Sequence, residues 1–426
     1  MKRKIVPIAI GIALIGAGIV AFSISMQNSG KQKEETNVME TELEEVQIEL
    51  PATEISTAES GEEQTEKFQP VEDEMYTSLL KGNLTKDQLS YVLAFAPEAM
   101  SEKGLSGSEM YLLVDRFVIR AMDEQDGLTE GDSLGIRYYG SNPDTYEYII
   151  STEDTNRILQ VITDYQFTDG NDVERINVQG DNLSIMPSDG SVWSEILSAQ
   201  YNADEMDVIY EHTNDNDPTN TVVEKRLAIL KRQDDGLYQI KQIWPIQDES
   251  DVEKIKSGEW NWKLAYWDVI KGMPDQKHSD EIENDIVVEN PMINYYLTDL
   301  AGDAIPELIV VVGSYDDPRS SWMSIYSYDQ ATGIHFEGET SISSEALWKD
   351  ENSKHLIYDY MSGGTGETTA YYFEFGDGSI HETEMFTRQF MSWEELEAYN
   401  EAQGYTELER GTMNDFSLLN EWNNHN

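Results

Sequence analysis

Residues Val222–Trp244 read VVEKRLAILKRQDDGLYQIKQIW, and this stretch decides the fold. Two runs rich in branched and aromatic side chains flank Asp234, Asp235 and Gly236. An Asp-Gly pair supplies the positive φ that a tight hairpin demands. The pattern predicts an antiparallel hairpin, Val222–Lys231 with Leu237–Trp244. Upstream, Leu134–Tyr139, Tyr146–Ile150, Glu174–Val178 and Asn182–Met186 carry further strand signals. Before most of them the apolar period is helical. Thr85-x-x-Gln88 forms a capping box ahead of Leu89, Val92, Leu93 and Ala96 on one face, and Pro97 ends that helix. Ser106-x-x-Glu109 opens a second helix with Met110, Leu113, Val114, Phe117, Val118 and Ala121 inward. Its charges Asp115, Arg116 and Arg120 fall mostly off that face. Ser151-x-x-Asp154 starts a third, with Ile158, Val161 and Ile162 inward. Helices first and strands after give an α+β domain over 75–247, an antiparallel sheet covered by helices.

Ahead of this domain the chain has a different character. Lys2, Arg3 and Lys4 precede an uncharged apolar run from Ile5 to Met26, close to the roughly 20 residues that cross a bilayer core. Cations stay on the cytoplasmic side, so the expectation is a signal anchor at 1–26, a single-pass transmembrane helix with the rest extracytoplasmic. The alternative is a secreted protein, since Ser23-Ile24-Ser25 offers small residues for signal cleavage. Residues 27–74 are rich in Glu, Thr, Ser and Gln with one aromatic, Phe68, and read as a disordered acidic linker. The chain has no cysteine, which excludes disulfides, thiolate metal sites and a lipid-modified anchor. A net charge of −53 argues against nucleic acid as a partner.

Downstream, 248–258 is polar and reads as a linker to a β-rich module over 259–410. Trp260, Leu264 and Trp267 form a helical stripe ending at Gly272. Strand signals follow at Met292–Leu297, Glu307–Val312, Trp322–Tyr328, His355–Tyr360 and Ala370–Phe375. Ser392-x-x-Glu395 caps a last helix, and 411–426 reads as a fraying tail.

Within this module Tyr295–Val310 reads YYLTDLAGDAIPELIV. It resembles the calcium-loop segment of FG-GAP and VCBS-type repeats, often DLDGDGIPELIV. In that family alternate carboxylates and one backbone carbonyl surround a hard cation with oxygen. The resemblance implies Asp299, Asp303 and Glu307 as loop ligands, with Ile305 contributing its carbonyl, and calcium as the ion. Ala301 stands where the family has a ligand, and Ala304 where it has a glycine that eases the turn. The other reading of the segment is a loop that keeps the turn while Leu297, Ile305, Leu308 and Val310 pack.

Other patterns carry less. Ser78-x-x-Lys81 and Lys256-Ser257-Gly258 fit the spacing of penicillin-recognising enzymes, but one falls at a domain edge and the other in the polar linker. The six histidines show no metal-ligand spacing. Nine Trp and 23 Tyr can pave a sugar-binding face, although Tyr326/Tyr328 and Tyr358/Tyr360 alternate as a packed sheet does. No catalytic residue is assigned. The sequence points to a membrane-anchored, non-catalytic binding or structural protein at the cell envelope, with an envelope polysaccharide or protein as partner. The alternative is a carbohydrate-acting hydrolase or carbohydrate-binding protein whose site is scattered along the chain.

Overall fold

The computed structural model describes residues 67–422 other than 130, 171–172, 174, 187–191, 215–221, 274–277, 280–284, 287–290, 315–320, 343–346, 353–354, 362–366, 377–378 and 391. The expected anchor at 1–26 and most of the expected linker at 27–74 lie outside the described residues. The described structure starts at Lys67, ahead of the boundary expected at Met75. Strand β1 (Gln69–Pro70) pairs with Tyr201 and Gln200 of the strand β6 described below, and the Val71 N–H donates to Ala199 O at 3.0 Å. Main-chain bonds of this kind leave no mark in composition.

A short helix α1 (Tyr76–Leu79) leads to α2 (Lys86–Phe95) and α3 (Gly107–Asp126). Both longer helices begin with reciprocal caps. The Gln88 N–H donates to Thr85 Oγ1 while the Thr85 N–H donates to Gln88 Oε1, and Ser106 and Glu109 repeat the pattern. Helix α3 ends at Gly127, whose φ of 70° is the left-handed closure that glycine adopts without strain. Its expected apolar face is buried, but so are Asp115 and Arg116, which pair with each other at 3.4 Å. Helix α4 (Thr152–Leu159) follows a small antiparallel sheet edge. That sheet contains β2 (Tyr138–Ser141), β3 (Tyr148–Ser151), β4 (Ile176–Gln179) and β5 (Asn182–Ile185) in the order β2-β3-β5-β4.

The larger sheet adds β6 (Val192–Tyr201), β7 (Glu205–Asn214), β8 (Val222–Arg232) and β9 (Tyr238–Ile246), antiparallel throughout in the order β1-β6-β7-β8-β9. The hairpin β8–β9 forms as its sequence predicts, with Leu227 opposite Trp244. One face of this sheet sets Met206, Val208, Tyr210, Ala228 and Leu230 in a core with α2 and α3. The opposite face contributes Leu227, Ile229 and Trp244 to a second core, shared with the helices and strands that follow.

The expected linker is helix α5 (Glu249–Ser257). Asp248 caps it, and Ile255 turns into the second core, so its polarity is that of a solvated helix face. Helix α6 (Asn261–Gly272) buries Trp262, Leu264, Tyr266, Trp267 and Ile270. After two short pairing strands, β10 (His278–Ser279) and β11 (Asp285–Ile286), come β12 (Pro291–Thr298), β13 (Glu307–Ser314), β14 (Ser321–Asp329) and β15 (Gly333–Ile342). The next strands are β16 (Leu347–Asp350), β17 (Leu356–Met361), β18 (Glu367–Gly376) and β19 (Ser379–Gln389). The chain closes with α7 (Trp393–Gln403), β20 (Tyr405–Glu407), β21 (Gly411–Thr412) and α8 (Ser417–Glu421). Two antiparallel sheets result, β15-β14-β13-β12-β21 and β19-β18-β17-β16-β20. On β12 and β13, Ile293, Tyr295, Leu297, Leu308, Val310 and Val312 face the α6 core. Tyr296, Ile309 and Val311 face the other way, onto Leu347, Leu356, Tyr358 and Phe373 of the second sheet. This period-two division builds three layers: helix, sheet, sheet.

The tail does not fray within 411–422. Gly411 pairs with Tyr295 and Thr412 with Asn294, while Phe416 and Leu419 are fully buried. The Phe416 ring meets Trp267 edge-on at 5.2 Å. The pattern is too short to read as structure alone, and its order comes from partners distant in sequence.

Candidate functional site

The loop between β12 and β13 holds the residues singled out by the calcium-loop resemblance. Thr298 pairs with Glu307 across the ladder, so Asp299–Pro306 closes a tight connection. Asp299 accepts from the Gly302 N–H at 2.5 Å and from the Ala304 N–H at 3.4 Å, and Asp303 accepts from the Ile305 N–H at 3.0 Å. Glu307 is buried and accepts from the Leu300 N–H at 2.7 Å. Ala304 takes φ 74°, a left-handed conformation that costs a non-glycine residue about 1 kcal/mol. The Tyr266 hydroxyl donates to Pro306 O at 2.8 Å and fixes the loop to α6. Asp299, Asp303, Ile305 and Glu307 therefore share one turn, as expected, with three carboxylates occupied by the turn's own amides.

Burial pushes the Glu307 carboxyl up to about 7, the negative charges of Asp299 and Asp303 add to the rise, and the Leu300 N–H opposes it. A hard cation asks for converging ionised oxygens. Among the described residues no group of three or more His, Asp or Glu side chains is placed to hold a metal ion.

Beside the loop opens a cleft of about 430 Å³. Lys254, Glu259, Trp260 and Trp262 line it from the α5–α6 corner, and Asp303–Ile305 from the loop. Tyr328–Gln330 line it from the end of β14, and Trp422 from the chain end. Of the aromatic residues here the sequence places Trp260 on the packed stripe of α6 and Trp422 in the tail, and Trp260 and Trp262 are largely core. Trp260 is 7% exposed and Trp262 4%, so they present edges to the cleft. The Lys254 and Lys263 ammonium groups lie 5.0 Å and 3.7 Å from the Trp260 ring centroid.

Lys263 is fully buried and donates to Asn420 O at 2.8 Å, which ties α8 to α6 behind the cleft. Burial lowers its amine to about 7; Asp251 and Glu259 oppose that shift, and Lys254 adds to it. At the cleft mouth Asp329 accepts from the Ala331 and Thr332 N–H groups and the Thr332 hydroxyl, which holds its carboxyl below the usual range.

Rings, carboxylates, an amide and an ammonium around one opening can recognise a polar ligand with flat apolar faces. Acid-catalysed glycoside cleavage needs a carboxylic acid that keeps its proton at the reacting bond. Glu307, the raised acid nearest the cleft, does not line it, and Asp329, which does, is held low.

The remaining sequence patterns take structural roles. Ser78 donates to Met75 O, and Lys81 pairs with Asp164 and Asp235. Lys256 pairs with Glu205 and Asp207, and Gly258 closes α5 at φ 79°. His212 is buried against Ala94 O, and burial lowers its imidazole to about 4. The side chains of His278 and His425 lie outside the described residues. Tyr295, Tyr296, Tyr326 and Tyr358 are buried in the cores. Searches for related proteins find no match to this chain among family models, curated proteins or solved structures.

Proposed function

We propose that this chain is a membrane-anchored, extracytoplasmic, non-catalytic binding protein whose folded part takes a segment of envelope polysaccharide in the cleft beside the Asp299–Glu307 loop. The cleft carries the proposal: Tyr328, Trp422 and the edges of Trp260 and Trp262 supply apolar surface. Glu259, Asp303 and Gln330 supply hydrogen-bond partners for hydroxyls. The apolar run Ile5–Met26 after three cations supports the location, and the acidic stretch behind it supports a spacer.

The test is calorimetric titration of the protein with soluble peptidoglycan fragments and envelope polysaccharides, repeated for Tyr328→Ala and Trp422→Ala. Each ring contributes about 0.5–1.5 kcal/mol, so each variant is expected to bind roughly two- to tenfold more weakly. Binding that both variants retain in full would move the ligand elsewhere. Release of cleaved saccharide on incubation with the unmodified protein would overturn the non-catalytic assignment.

A further inference from the structure

Outside the cleft, helix α7 lies on the sheet β19-β18-β17-β16-β20 with a carboxylate beneath it. Asp359 of β17 is fully buried, and among the described residues the one side-chain hydrogen bond it accepts comes from Asn400 Nδ2 of α7. Asn400 is also fully buried. Two side-chain oxygens of this pair, Asp359 Oδ1 and Asn400 Oδ1, have no hydrogen-bond partner. A buried carboxylate oxygen and a buried amide oxygen that both lack a donor are doubly costly, because each acceptor is desolvated without compensation. One hydrogen atom removes both deficits. A protonated Asp359 donates its O–H to Asn400 Oδ1 while still accepting from Asn400 Nδ2, and the acid and amide close a two-bond ring.

We propose that Asp359 is a neutral carboxylic acid in the folded protein, sharing its proton with Asn400, and that its ionisation releases helix α7 from the sheet. The pair is thus a pH-operated latch, tight in acid and loosened as pH rises. Burial raises the Asp359 carboxyl, and the Asn400 hydrogen bond opposes this less strongly.

The neighbouring groups do not supply the missing charge. By register, Asp350, His355, Tyr372, Arg388 and the exposed pair Glu374 and His381 share the sheet face with Asp359, as do Tyr405 and Glu407 of β20. The Arg388 guanidinium lies over the rings of Tyr399 of α7 and Phe386, at 4.7 Å and 5.5 Å. Tyr405 is raised by burial first and then by Asp350, Tyr399 and Asp359, so Asp359 sees a neutral phenol there. The acids of α7 itself, Glu394, Glu395, Glu397 and Glu401, are exposed. Trp348 Nε1 and Thr368 Oγ1 are also buried on this face without partners, and neither is a cation.

Amide hydrogen exchange read by mass spectrometry tests the latch on the unmodified chain. After correction for intrinsic exchange, protection of Trp393–Gln403 is expected to fall as pH rises from about 5 to about 9. The fall reaches tenfold for each pH unit beyond the acid's value. The paired strands β7 and β8 serve as the internal reference. Asp359→Asn supplies the same donor and acceptor without a charge, so its α7 protection is expected to stay level over that range. Protection of α7 in the unmodified chain that is independent of pH would overturn the proposal. So would an Asp359→Asn variant that keeps the pH dependence or fails to fold. Protection that follows the identity of the added cation instead of pH would assign the missing charge to a bound ion and overturn it too.

Discussion

Replacing Glu307 with Gln is expected to stabilise the protein above neutral pH and to change little in acid. The carboxyl titrates at about 7 in the folded chain against an ordinary 4.5, because burial outweighs the Leu300 N–H that it accepts. A raised acid contributes stability that is complete below the unfolded value and is lost as pH rises through the folded one. The interval, at about 1.36 kcal/mol per pH unit, sets an upper bound of roughly 3 kcal/mol. At pH about 8 the native protein therefore holds a buried charge beside Asp299 and Asp303, while the Gln variant keeps an acceptor for Leu300 without it. Urea unfolding followed by tryptophan fluorescence, at pH about 4.5 and about 8, measures the difference. The variant is expected to lead by up to about 3 kcal/mol at the higher pH and to lose that lead at the lower. Parallel stability curves would refute the reasoning, as would a variant less stable at pH about 8. Calcium gives a second readout, since an ion in this loop needs Glu307 ionised. Millimolar calcium that stabilises the native protein at pH about 8 and erases the variant's lead would establish an ion site; no calorimetric signal at that concentration would remove it.

Phe416→Ala removes a fully buried ring from against Trp267 and is expected to cost about 3–5 kcal/mol in thermal or urea unfolding; an unchanged stability would detach the chain end from the core. Gly411→Ala would set a Cβ 2.3 Å from the Tyr295 ring, so a loss of about 1–3 kcal/mol is expected, with weakening of the Tyr295 hydroxyl bond to Asp415 O. Lys263→Met tests the buried amine. Its folded value of about 7 lies below the ordinary 10.5, so the native protein is least stable below pH 7 and gains about 1.36 kcal/mol per pH unit above it. By pH about 9 this is roughly 2.7 kcal/mol relative to the variant, read as the difference in urea midpoints; equal slopes would show that Lys263 does not titrate there.

Local chemistry was legible from one sequence where the interactions are local. The capping boxes at Thr85 and Ser106 link residues three apart, and both helices start there. The Asp234–Gly236 turn and the β8–β9 hairpin follow from the residues within them. The Asp299–Glu307 turn is local too, so its four marked residues do meet. What those carboxylates bind was not legible, because Glu307 is buried by α6 and the facing strands, and its neighbours are amides of the same loop. The cleft was illegible for a related reason. Its walls come from α5, the start of α6, the loop, the end of β14 and Trp422, and each segment alone has the pattern of an ordinary core or turn.

By itself, then, the sequence determined the α+β character, the capped starts of α2, α3, α4 and α7, the central hairpin and an apolar N-terminal run behind three cations. Tertiary structure decided that 248–258 is a helix, that 411–422 belongs to a core, and that Asp359 lies against Asn400. The reason is one of distance. Helical caps and turns are settled within a few residues of backbone, whereas burial is settled by whichever distant side chains arrive: Lys263 meets Asn420, Phe416 meets Trp267, and Asp359 meets Asn400, 41 residues further along the chain.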